Sequence, residues 1–144
     1  MLHGLPTYGV PLDVAHFIRL SGAAQSGAGV KVWRPRTRPE TSRVGQAPVV
    51  SVPLAVVQVA AELGMVAGVV AADAALHRRL CSLTDIEDAV TGLGEVRGVA
   101  AARAMARRCD GRSQSPGESL MRLAVEDLGY AMEPQFQVVT EDAG

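Results

Sequence analysis

The chain has 144 residues, 48% of them hydrophobic, and a formal net charge of −1 at pH 7. This apolar content is normal for a globular protein and too high for an intrinsically disordered chain. No stretch approaches the roughly 18 apolar residues of a membrane span, and the opening residues do not resemble a signal peptide, so we expect a cytoplasmic protein with no membrane partner.

The N-terminal part, residues 1–52, is predicted to be a small β-rich subdomain. Short runs with strand-like alternation occupy residues 14–19, 30–34 and 47–52, and a Ser/Gly/Ala-rich loop occupies residues 21–29. These three strands are expected to form one small sheet.

Residues 53–111 are predicted to form a layer of four helices. Pro53 suits a first helical turn and Gly64 a helix end, and a second helix is expected from Met65 to Leu80. A capping box over residues 84–87 opens a third helix, and a fourth covers residues 95–108.

Residues 112–144 are predicted to contain one helix and one strand. Ser115 is a good N-cap, Pro116 suits the first helical position, and Glu118 completes a capping box. A strand is expected over residues 133–139. The apolar stripe of the helix is read from Leu120, Met121, Ala124 and Leu128. The predicted fold class is therefore α+β, with a helix and strand ending the chain.

Asp73 is the first polar residue that calls for an explanation. Helical spacing places it in the stripe formed by Val66, Val69, Leu76 and Leu80. A carboxylate there is costly unless it is paired, and His77 lies one turn away. Either Asp73 and His77 form a tuned acid–base pair, or the Asp73 carboxylate caps or tethers a neighbouring segment from within the helical layer, and we favour the tether.

Glu118 and Arg122 have the i,i+4 spacing of a helix-stabilising ion pair. A structural role, as capping residue and ion-pair partner, explains both. The functional alternative is a carboxylate of a nuclease core, which would need further acidic ligands for Mg²⁺. We predict no metal site and no cofactor, with Mg²⁺ required only in the nuclease alternative. Cys81 and Cys109 have no metal-binding spacing and predict neither a zinc site nor a disulfide.

Two segments are rich in arginine. Residues 1–50 carry six basic and two acidic side chains, and residues 96–122 also carry six and two. They either form a surface for nucleic acid or pair with the acidic segments between and after them. The candidates for binding nucleic acid are Arg34, Arg36, Arg38, Arg103, Arg107, Arg108 and Arg112.

Several motifs resemble those of the AbiEi-type antitoxins and their Vsr-like endonuclease-domain relatives. The segment Leu2-His3-Gly4-Leu5-Pro6, the run over residues 53–60 and the run over residues 69–76 follow the family in order. Residues 114–119 with Arg122 resemble its E-S-P-x-E-S-x-x-R motif, and Gly129, Pro134 and Gln135 fit the continuation.

The chain departs from this family at several places. Leu54, Ala55 and Gln58 stand where the family usually has Arg, Thr and Asp, and Gln114 replaces a Glu. We expect neither the N-terminal winged helix nor the last strands of the nuclease-like core, so that Glu118 alone remains of the catalytic set.

The resemblance implies a toxin–antitoxin or phage-defence role in a bacterium or phage. The first hypothesis is a non-catalytic regulatory or interaction module that binds a cognate toxin, another protein or nucleic acid. A degenerate or truncated PD-(D/E)XK-type nuclease is the second, and a structural oligomerisation module, such as a homodimer, is the third.

Overall fold

The computed structural model describes residues 3–19, 27–34 and 38–136. The fold is α+β: short N-terminal strands are followed by five helices. In this part of the chain, no helix is long and apolar enough to span a membrane. The proposed division after residues 52 and 111 stays a prediction.

The strands form two separate two-stranded sheets, so the expectation of one three-stranded sheet is wrong. Strand β1 (Ala15–Ile18) pairs in parallel with β2 (Val30–Trp33), and β3 (Thr41–Val44) pairs antiparallel with β4 (Ala47–Val50). Strand β3 was missed because all four of its residues are exposed. Without a buried face it lacks the apolar alternation that predicts a strand.

The five helices are α1 (Val52–Leu63), α2 (Met65–His77), α3 (Leu83–Leu93), α4 (Val99–Arg108) and α5 (Pro116–Asp127). Helix α2 lies at the centre and packs against α1, α4 and α5, while α3 packs against α1 and α4. Eight of the thirteen residues of α2 are buried, because a helix that is apolar on all sides is stable only when other elements surround it. The predicted stripe is therefore wrong at its ends: Val66 and Leu80 are exposed.

Two glycines allow this close packing. A Cβ atom at Gly68 would lie 2.4 Å from the Cβ of Ala60, so α1 and α2 are in contact at backbone distance. Gly98 has a φ of +85° and sits against the carbonyl of Ala61. This left-handed residue explains why α4 begins at Val99 and not at Glu95 as predicted.

The helix caps correct two further predictions. The capping box of α3 is formed by Ser82 and Asp85, two residues before the predicted one. In α5, the Ser115 hydroxyl accepts the Glu118 N–H as expected, but Glu118 reaches back to the N–H of Gln114. Residues 133–136 are turn and irregular backbone where a strand was predicted, and residues 137–139 lie outside the described residues.

The N-terminal segment packs onto the helices. Leu5 is buried in the main core cluster, and an Arg78 guanidinium donates to the Gly4 carbonyl oxygen at 2.9 Å. The His3 ring nitrogen lies 2.7 Å from the Val50 carbonyl oxygen. Lys31 of β2 forms an ion pair with Glu62 of α1. His3, Gly4 and Leu5, at the start of the chain, thus help to hold the strands against the helical layer.

Candidate functional site

A buried ion pair joins α2 and α5, the two helices that carry Asp73, His77, Glu118 and Arg122. Asp73 of α2 is 1% exposed and Arg122 of α5 is 3% exposed. Their Oδ2 and Nη2 atoms lie 2.9 Å apart. The Asp73 Oδ1 atom accepts the backbone N–H of Asp110 at 2.6 Å. Asp73 therefore connects α2, the α4–α5 loop and α5.

The environment of Asp73 acts on its protonation in two directions. Burial raises the pKa of Asp73 above the ordinary 3.8, while hydrogen bonds from Asp110, Ser119 and Arg122 oppose this shift. Desolvation disfavours the carboxylate, whereas the donors and the guanidinium favour it. With its oxygens held by internal donors, Asp73 has the geometry of a structural tether.

His77 is not the partner of Asp73. It is exposed, and its Nδ1 atom lies 3.2 Å from the Gly111 carbonyl oxygen. The acid–base pair of Asp73 with His77, the alternative to the tether, is therefore not formed. The sequence does not point to Arg122 as the partner, because it is 49 residues away and no helical spacing connects the two.

Glu118 and Arg122 do not form the predicted i,i+4 pair. Arg122 donates to Glu126 at 3.0 Å, in addition to Asp73. The Glu118 Oε2 atom accepts from the N–H of Gln114 at 2.8 Å and from the side-chain amide of Gln135 at 3.1 Å. Glu118 thus links the residues on either side of α5.

The outward face of α5 is apolar, although the apolar stripe of a surface helix normally faces the core. Its buried residues are Ser119, Arg122 and Leu123. Met121 is 60% exposed and Leu128 is 75% exposed. The exposed set that we call the α5 apolar face consists of Met121, Ala124 and Leu128. The predicted stripe exists, but most of it faces away from the core.

Several of the arginine candidates are paired with acidic side chains. Arg103 pairs with Glu95, Arg108 with Glu126 and Asp127, and Arg112 with Asp110 and Glu133. The charges of Arg103, Arg108 and Arg112 are therefore partly compensated and less available to a phosphate.

The remaining arginine candidates are scattered. Arg107 is exposed and has no ion pair among the described residues. Arg34 and Arg38 line a groove beside Trp33, and Arg36 lies outside the described residues. The Trp33 indole N–H donates to His16, and the Lys31 ammonium lies 5.2 Å from the ring centroid.

The groove has a volume of about 780 Å³ and lies between α1 and α3. Pro53, Leu54 and Gln58 line it from α1, and Trp33 and Pro39 line it from the strand region. One face of α3 forms the opposite wall. Sequence reasoning did not identify this groove, because its walls come from segments that are far apart in the chain.

Neither cysteine has the environment of a reactive thiol. Burial raises the pKa of both Cys81 and Cys109 to about 11. In the described part of the chain, no three His, Cys, Asp or Glu side chains are grouped to hold a metal ion.

Comparison with protein-family models, curated proteins and solved structures found no match to this chain.

Proposed function

We propose that this chain is a non-catalytic interaction module of the AbiEi-antitoxin type, which binds a partner protein through the α5 apolar face. The single observation that carries the proposal is the orientation of α5. Its polar side is held inward by the Asp73–Arg122 pair, so Met121, Ala124 and Leu128 are presented to solvent. An exposed apolar patch is typical of a protein-binding surface.

The spacing of these residues supports recognition by a protein. Met121, Ala124 and Leu128 lie at i, i+3 and i+7, which places them in one row along the helix. Tyr130 and Phe136 add two exposed aromatic side chains after the helix. Aromatic residues and methionine are enriched at protein interfaces. A small residue between two large ones also allows a partner side chain to approach the helix closely.

The charges favour a protein over nucleic acid as the partner. Glu126 and Asp127 lie at the end of α5 and neutralise Arg108. Arg112 is likewise held by Asp110 and Glu133. Binding to phosphates needs arginines whose charge is not already compensated. An apolar surface bordered by neutralised charges suits a folded protein.

The proposed function is tested with the protein encoded next to this chain, which the antitoxin resemblance predicts to be its cognate toxin. The two proteins are co-expressed, and their affinity is measured by titration calorimetry. We expect Leu128→Ser to weaken binding about tenfold or more, as for a central interface residue. Leu83→Ser is the matched control, because Leu83 is an exposed leucine on α3, and it should leave the affinity unchanged.

Three outcomes would overturn this proposal. A wild-type chain that is monomeric by light scattering and does not bind the neighbouring protein has no interaction function of this kind. A homodimer that is lost in Leu128→Ser, without binding to that protein, supports the oligomerisation alternative. Mg²⁺-dependent cleavage of DNA or RNA that is lost in Glu118→Gln supports the nuclease alternative.

A further inference from the structure

Among the described helices, only α5 packs closely against a single other helix. It lies on α2, whereas α1, α2, α3 and α4 each pack against at least two helices. The buried residues of α5 are Ser119, Arg122 and Leu123, so Leu123 is its only buried apolar residue. By contrast, α1 and α4 each bury three apolar residues. Apolar packing therefore holds α5 only weakly to the four-helix body, by which we mean α1 to α4.

A continuous row of ion pairs makes up much of the remaining attachment. Arg122 donates to Asp73 at 2.9 Å and to Glu126 at 3.0 Å. Glu126 accepts from Arg108 of α4 at 3.1 Å, and Arg108 also pairs with Asp127 at 2.8 Å. The row begins in the interior, at Asp73, and ends at the exposed side chain of Asp127. Charges therefore connect α5 to both α2 and α4.

Asp73 holds both the helix and the loop that leads to it. Its Oδ2 atom accepts from Arg122, and its Oδ1 atom accepts the backbone N–H of Asp110, in the loop between α4 and α5. The next residue, Gly111, lies so close to α2 that a Cβ atom there would be 2.8 Å from the Cβ of Leu76. Loss of the contacts of Asp73 would therefore release the loop and α5 together.

The cost of separating a buried ion pair depends on whether both partners reach water. Removal of one partner leaves the other charge buried and unpaired, which is strongly destabilising. When α5 moves away from α2, Asp73 and Arg122 both become hydrated, and this hydration offsets much of the attraction that is lost. Unfolding of the four-helix body instead exposes many apolar side chains with no such compensation. Separation of α5 therefore costs less free energy than unfolding of the whole chain.

We infer that α5 and the loop over residues 109–115 leave the four-helix body as one unit, without unfolding of that body, and that the contacts of Asp73 control this opening. Such partial openings are typical of elements with few buried apolar contacts. The opening exposes Leu123 and gives the helix that carries the α5 apolar face a second state. The inference does not depend on what binds that face.

The test is native-state hydrogen exchange of the full chain, followed residue by residue by nuclear magnetic resonance. An isolated helix of the length of α5 is only marginally stable in water, so its amides exchange when α5 leaves the body. We expect the N–H groups of Leu123 and Asp110 to be protected about tenfold less, or weaker still, than that of Val70 in α2. Leu123 and Asp110 should also share one dependence on urea, weaker than that of Val70, because their opening exposes less surface.

Two substitutions separate the opening of α5 from unfolding of the whole chain. Val57→Ala truncates a fully buried residue of α1, a helix without close packing against α5. It should speed exchange at Val70 about tenfold or more but leave Leu123 unchanged, because the closed and open states lose the same contacts. Arg122→Met should speed exchange at Leu123 about tenfold or more, because the closed state then buries an unpaired carboxylate. Arg103→Met, which breaks an exposed ion pair, is the matched control and should leave Leu123 unchanged.

The inference is overturned if Leu123, Asp110 and Val70 exchange through one common opening, because α5 then separates only when the whole chain unfolds. It is also overturned if Val57→Ala speeds exchange at Leu123 as much as at Val70. Ile86→Val, a milder truncation of a buried residue of α3, gives the same comparison if Val57→Ala does not fold.

The control by Asp73 is overturned separately. If Asp110 stays as protected as Val70 while Leu123 exchanges, α5 frays without its loop. If Arg122→Met leaves exchange at Leu123 unchanged, the ion pair does not hold the closed state. None of these measurements involves a partner protein, so a failure of this inference is distinguishable from a failure of the proposed function.

Discussion

Replacing Arg122 by methionine tests whether the buried ion pair holds α5 in its observed orientation. Methionine keeps a flexible apolar stem like that of arginine but leaves the Asp73 carboxylate without its counter-charge. Because Asp73 is 1% exposed, water cannot replace the guanidinium. Removing one partner of such a buried pair costs about 3–5 kcal/mol. This is a large part of the roughly 5–15 kcal/mol that stabilises a typical domain.

The double variant Asp73→Asn/Arg122→Met separates the contribution of the ion pair to stability from the contributions of the other contacts of the two side chains. It removes both charges, and the asparagine oxygen can still accept the N–H of Asp110. We expect the double variant to be more stable than Arg122→Met alone. The coupling energy between the two sites should be about 1–3 kcal/mol, as found for side chains in direct contact.

The measurement is urea unfolding followed by far-ultraviolet circular dichroism, with all four members of the cycle compared at neutral pH. Arg103→Met is the matched control, because Arg103 forms an exposed ion pair with Glu95. It should change the free energy of unfolding by less than about 1 kcal/mol. A cost below about 1 kcal/mol for Arg122→Met, or purely additive effects in the cycle, would refute the role of the pair.

The remaining predictions concern pH, packing and thiol reactivity. The pKa of Asp73 is raised in the folded state, so the folded chain binds this proton more tightly than the unfolded chain. The wild type should therefore gain stability relative to Asp73→Asn as pH falls from neutral toward 3.8. A difference in the free energy of unfolding that does not change with pH would contradict this. Gly68→Ala should lower that free energy by about 1–3 kcal/mol through overpacking. Gly92→Ala should raise it by about 0.5–1 kcal/mol, so urea unfolding must give opposite signs for the two variants. A pKa of about 11 for Cys81 and Cys109 lowers their thiolate fraction at neutral pH about 100-fold, so iodoacetamide should modify them far more slowly in native than in unfolded chain, by mass spectrometry. Equal rates would contradict that environment.

Most helix positions could be predicted because their ends are set by local chemistry. Gly64 separates α1 from α2 as expected, and Ser115 with Pro116 opens α5. Such caps and breakers act on the backbone within a few residues, so they can be read without knowing the tertiary structure. The strand β3 could not be predicted in this way, because no burial pattern marks it.

The orientation of α5 shows where periodicity fails. An apolar stripe normally faces the core, and by that rule Met121 and Leu128 would be buried. The structure instead buries Ser119 and Arg122, because Asp73 in the central helix requires donors and a counter-charge. The pairing connects residues 49 positions apart, and the sequence contains no local feature that specifies it.

The amino-acid sequence by itself determined the α+β class, the approximate extents of most helices and the burial of Asp73. Each of these follows from local propensity or from spacing along one element. Only the tertiary structure decided which residue neutralises Asp73, which face of α5 meets solvent and which segments enclose the groove. These features depend on contacts between elements that are distant in the chain. A charge buried in a low-dielectric interior needs a counter-charge, so one long-range ion pair can decide the orientation of a whole helix.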